Sequence, residues 1–116
     1  MKSQVNFDAL GGGKTQYKYE YLNTPTTAKV PVGFVPKQLL VTYKFSPSSI
    51  HEYYYDESVS TTQVQWTTNG GTPSMVTMDD SGNSVIRSIN PDGSFTLASV
   101  YVSSSYVSTM AYLAIG

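Results

Sequence analysis

The chain has 116 residues, with nine Gly, six Pro, no Cys and 40% hydrophobic content, and this fits one compact domain. A domain of this size buries roughly 65% of its unfolded surface, enough for a thin independent core. Seven basic and eight acidic side chains leave a formal charge of −1, so no field is present to attract nucleic acid or an anionic membrane, and neither is expected as a partner. Without cysteine there is no disulfide framework, thiolate metal site or cysteine nucleophile.

In chain order, Met1 to Leu10 lacks the apolar run of a signal peptide. Residues 1–13 end in three glycines and are expected to form a flexible arm preceding a single β-sandwich domain over residues 14–116. Gly11-Gly12-Gly13-Lys14-Thr15 looks like the end of a phosphate-binding loop. However, Asp8 stands where the first glycine belongs, and a tyrosine-rich strand follows in place of a helix.

From Gln16 to Leu22 the residues alternate, placing Tyr17, Tyr19 and Tyr21 on one face and Lys18, Glu20 and Leu22 on the other. The Pro31 to Pro36 segment excludes a helix. Leu39, Val41, Tyr43 and Phe45 then mark a core-facing strand, which Ser46-Pro47-Ser48-Ser49 joins to a partner over Ile50 to Asp56. Val64 and Trp66 mark a fourth strand. Asn69-Gly70-Gly71 supplies the positive φ angles of a tight hairpin leading into Met75 to Met78. After the polar break Asp79 to Asn83 come strands over Val85 to Ile89 and Ser94 to Ala98. Between them Pro91 suits a type I turn, and Gly93 suits the left-handed bulge that follows it. Val100 to Gly116 reads as an aromatic, serine-rich strand that turns once and is buried at its end, where Tyr112, Leu113 and Ile115 stand. Short strands at roughly ten-residue spacing predict an all-β fold, an antiparallel β-sandwich or Greek-key barrel of roughly seven to nine short strands.

Catalytic motifs fail on their own chemistry. His51-Glu52 opens like a zinc-protease signature, but position 55 is Tyr55 and no second histidine exists. A serine-histidine hydrolase lacks its G-x-S-x-G elbow, which leaves His51 as a solvated or interface residue. Asp56 with Glu57 and Asp79 with Asp80 are adjacent pairs that point apart, unlike the opposed acids of a glycosidase, and are expected to cap turns. Asp79, Asp80 and Asn83 lack the spacing and closing Glu of a calcium loop. No cofactor or metal is expected.

Surface chemistry remains. Ten Tyr, one Trp, and Ser plus Thr at 29 residues suit recognition of sugars by ring contact and hydroxyl hydrogen bonds. Tyr53, Tyr55, Trp66, Tyr101 and Tyr106 are the candidates for glycan binding. Alternation puts Tyr53 and Tyr55 on one face of their strand and Tyr54 on the other.

Three segments, Val32 to Val41, Ile86 to Leu97 and Ala111 to Gly116, are to be set beside a G-F-x-P-K strand start, an I-x-x-I-x-x-D-G-F hairpin, from which this chain departs by Ser94 between Gly93 and Phe95, and an A-I-G ending. In order and spacing they resemble a β module of tail-fibre and tail-tip proteins of bacteriophages infecting Gram-positive bacteria, over about Lys29 to the C-terminus. The resemblance implies a non-enzymatic virion tail or baseplate protein, structural or host-recognising, made in the host cytoplasm. The implied partners are copies of itself as a trimer, other phage tail proteins, and host cell-wall carbohydrate. The alternative is a free-standing carbohydrate-binding module or lectin of bacterial origin.

Overall fold

The computed structural model describes residues 15–46, 48–79, 84–102 and 109–116. The predicted arm over residues 1–13, the Asp80 to Asn83 break and Tyr106 lie outside them. Within the described residues nine strands form two antiparallel sheets that pack as a sandwich. They are β1 (Tyr17–Tyr21), β2 (Lys29–Pro31), β3 (Gln38–Ser46), β4 (Ser49–Asp56), β5 (Gln63–Thr68), β6 (Ser74–Thr77), β7 (Ile86–Asn90), β8 (Ser94–Leu97) and β9 (Thr109–Ile115). The larger sheet has the order β1-β9-β3-β4-β5-β6, and the smaller β2-β8-β7.

Consecutive pairing of β3 through β6 follows from short turns. At the β5–β6 reversal, Asn69 (φ 54°) and Gly70 (φ 71°) both take the left-handed region, and Gly71 N donates to the Thr68 carbonyl at 2.9 Å. Such a turn matches the right-handed twist of the flanking strands. The β7–β8 turn closes on Gly93 (φ 86°), whose N–H donates to the Asn90 carbonyl, as Pro91 and Gly93 predict. Asp56 caps the turn after β4: its Oδ1 accepts from the Ser58 N–H at 3.0 Å and the Ser58 hydroxyl at 2.7 Å.

The non-local step is the insertion of β9 between β1 and β3. Its register aligns Glu20, Tyr112, Val41, Tyr53, Trp66 and Ser74 in one row across all six strands of the inner face. Tyr112, Val41 and Tyr53 are buried in that row, and Leu39, Tyr55 and Ala114 are buried in the next. Against this face the smaller sheet sets Val30, Phe95, Leu97 and Ile86. Phe95 meets Tyr112 edge to face at 5.2 Å, which locks the two sheets together. The Tyr112 hydroxyl is satisfied by Glu20 Oε1 at 3.0 Å and the Pro31 carbonyl at 3.3 Å.

Two sequence expectations change. Ser99–Tyr101 is a single 3-10 turn and not strand, because the β8 strand ends at Leu97 and Tyr101 N donates back to the Ala98 carbonyl. The C-terminal strand is buried on one face only: Met110, Tyr112 and Ala114 point inward while Leu113 is exposed on the other side. The proline-rich stretch also contributes a strand, β2, that pairs with β8 before Pro31 ends it.

Candidate functional site

Where the smaller sheet stops at β7, the inner face of β3, β4 and β5 is left to form the floor of a cleft of about 420 Å³. Its described lining is Tyr43, His51, Tyr53, Trp66, Ser84, Arg87, Val100 and Tyr101. Strand register assembles the floor. Tyr43 lies directly opposite His51, and Tyr53 directly opposite Trp66. The four rings consequently stand nearly parallel, with Tyr43–His51 centroids at 4.8 Å, Tyr43–Tyr53 and Tyr53–Trp66 at 6.1 Å, and His51–Trp66 at 6.3 Å. Tyr101, delivered by the 3-10 turn, leans on Tyr43 at 5.0 Å, and their hydroxyls are 3.3 Å apart.

His51 is held in one protonation state by its neighbours. An indole N–H can only donate, and Trp66 Nε1 donates to His51 Nδ1 at 3.4 Å. Nδ1 is therefore unprotonated, and the Thr68 hydroxyl at 3.2 Å also donates to it. The ring proton sits on Nε2 and points to Ser49 Oγ at 3.1 Å. Burial moves the imidazole pKa down, in the direction of this neutral form. This tautomer bears on Ser49 as a nucleophile paired with His51. A catalytic histidine needs a bare nitrogen toward its serine and a donor N–H toward an acid, and His51 has the opposite arrangement.

Among its described lining residues the cleft is neutral apart from one cation. Burial raises the Tyr43 and Tyr53 phenols, Tyr53 up to about 12, so both keep their protons as hydrogen-bonding groups. Arg87 is the one charged side chain in the described lining, and it donates to the Asp79 carbonyl. The described lining holds no carboxylate. Among the described residues no group of three or more His, Cys, Asp or Glu could hold a metal ion.

Of the predicted ring candidates, Tyr53, Trp66 and Tyr101 come together here. Tyr53 is the floor, 2% exposed, whereas Trp66 and Tyr101 are only partly buried. Tyr55 is separated from them: it is 4% exposed and lines a second hollow of about 380 Å³ with Val35, Met78, Ile89 and Arg87, which lines both. Tyr106 lies outside the described residues. Sequence reasoning passed over Tyr43, Ser84 and Arg87, and it read His51 as a solvated or interface side chain. Counting back from the Ser46–Ser49 pair at the β3–β4 turn would set Tyr43 opposite Glu52; a register shift between Lys44 and Ser46 sets it opposite His51, and that shift carries no sequence signal. Comparison with known proteins returns no family model, no curated protein and no solved structure that matches this chain.

Proposed function

We propose that the protein is a non-enzymatic β-sandwich of a bacteriophage tail or baseplate that contributes to recognition of cell-wall glycan on a Gram-positive host. The observation that carries the binding part is the cleft itself. Trp66, Tyr101 and Tyr53, with Tyr43 and His51, line a single concavity together with hydroxyl groups and one guanidinium. Aromatic walls with a few convergent polar groups are what a sugar needs, since its C–H faces pack on rings and its hydroxyls require donors and acceptors. The absence of carboxylates from the described lining favours binding over glycoside hydrolysis, which uses two. The tail assignment is supported by the three segments that resemble the phage module.

Fluorescently labelled protein should bind Gram-positive host cells saturably and lose that binding when wall teichoic acid and polysaccharide are stripped away. Tyr101→Ala should weaken binding about tenfold while leaving the fold intact by circular dichroism. Equal binding to stripped cells would overturn glycan recognition, and absence of binding by folded protein would leave a purely architectural tail component.

A further inference from the structure

We infer, on the reading of the cleft as a saccharide site, that His51 gates it through Trp66: a bare Nδ1 holds the indole as a binding wall, and a proton on Nδ1 releases it. The protein then takes its ligand at neutral pH and lets it go in mild acid. Histidine is the side chain whose charge ordinarily changes in that interval, roughly pH 5 to 8, and the chain has one.

Ser49, Thr68 and Trp66 meet the ring nitrogens, and they respond differently to a second ring proton. At Nε2 nothing changes, since Ser49 Oγ at 3.1 Å accepts that N–H in both forms. At Nδ1 the Thr68 hydroxyl, 3.2 Å away, can exchange roles, donating to a bare nitrogen and accepting from a protonated one. The Trp66 Nε1–H at 3.4 Å cannot, because an indole has no acceptor to offer. Protonated His51 is therefore hydrogen-bonded at both nitrogens without Trp66, and Trp66 is left with an N–H facing an N–H. The imidazolium also gains from the Tyr43 ring stacked on it at 4.8 Å, within the reach of about 6 Å of a cation–π contact. His51 stays in place and the indole moves.

Release matters because Trp66 is only partly buried, so its orientation depends on its neighbours. In the neutral state the indole lies 5° from the plane of His51 and 16° from that of Tyr53. A ring already held in its bound orientation loses little freedom on binding, whereas a loose one must be ordered by the ligand. Among the described residues, the other titratable or charged groups around His51 are Tyr43 from β3, Tyr53 on β4 itself, Tyr101 from the 3-10 turn and Arg87 from β7. From β5 it meets Trp66 and Thr68, neither of which titrates. Lys44 and Glu52 stand on the opposite face by alternation. Phenols and a guanidinium hold their charge state between about pH 5 and 8, so of these groups only His51 changes charge there. Burial, which disfavours the imidazolium, sets that change below the ordinary 6.5.

One tryptophan and one histidine make the switch readable by NMR without any ligand. Acid should move the single indole N–H signal with the same midpoint as the imidazole, and should speed its exchange with water. For the gate itself, the protein is titrated at about pH 7.5 and about pH 5 with soluble wall-polysaccharide fragments from Gram-positive cells, circular dichroism confirming the fold at both. The Kd should rise about tenfold in acid, the size expected from losing one hydrogen-bonded contact. His51→Asn, whose Oδ1 takes the place of Nδ1 as an acceptor that does not titrate, should bind to the same extent at both pH values. His51→Phe, which offers the indole no acceptor, should bind weakly at both. An indole signal that ignores the imidazole titration would overturn the gate. So would one Kd for the unmodified protein at both pH values, or a His51→Asn variant as sensitive to acid as the unmodified protein, and each of these leaves the saccharide site standing. No affinity at either pH would overturn the saccharide site and the gate with it.

Discussion

His51 shows how much a single donor can fix. Because the Trp66 N–H can only donate, protonation of His51 Nδ1 would set two N–H groups against each other in a partly buried site. Burial lowers the folded pKa below the ordinary value of 6.5, and the Trp66 donor favours the same neutral form. A group depressed in this sense contributes stability that is fully present above 6.5 and is lost as pH falls through the folded value. The melting temperature should thus decline as pH drops below about 6.5, and His51→Phe should remove that part of the decline. Asp56 and Asp92, held below the usual carboxylate value by the Ser58 hydroxyl and by Lys29 respectively, add their own losses only in the more acid range. A melting profile of the His51→Phe variant that still falls between pH 7 and 5 would contradict this account of the imidazole.

At the scale of elements, turns decide the pairing, and they do so through a few backbone angles. Gly93 holds φ 86°, and a β-carbon there would meet the Phe34 backbone nitrogen at 3.0 Å. Gly93→Ala should accordingly lower unfolding free energy by about 1 kcal/mol or more in urea titration, with β7, β8 and the neighbouring Phe34 segment affected together. These turns were legible in the sequence because Asn69-Gly70 and Pro91-Asp92-Gly93 impose their geometry locally. The alternation of Leu39, Val41 and Tyr43 was legible for the same reason. β2 was not, since three residues ending on proline carry no periodicity and are held in a strand only by pairing with β8. Nor was the 3-10 turn at Ser99–Tyr101, where Val and Tyr have strand preference but the chain leaves the sheet. The cleft was half legible: Trp66, Tyr53 and Tyr101 stood out by residue type, but their convergence with Arg87 depends on which sheet edge stops over β4 and β5.

At the scale of the molecule, a thin sandwich depends on the few large side chains that join its layers. Phe95 is fully buried and meets Tyr112 edge to face, so Phe95→Ala should cost about 3–5 kcal/mol and leave little folded protein at ambient temperature, as circular dichroism would show. Surface rings answer to different forces. Tyr19 is two-thirds exposed, so Tyr19→Ala should leave the unfolding free energy within about 0.5 kcal/mol of the unmodified protein in urea titration. If each cleft binds a repeating wall polymer and several copies act together, modest affinity of each becomes strong attachment through effective concentration.

A saccharide received by the ring-lined cleft would meet a built-in reporter, since Trp66 is the single tryptophan and lines that cleft. The most direct measurement is a titration of Trp66 fluorescence with soluble wall-glycan fragments from cells that the protein binds. The account predicts a saturable change that Tyr101→Ala weakens about tenfold. Unchanged Trp66 emission at glycan concentrations that saturate cell binding would place recognition elsewhere on the molecule and contradict it.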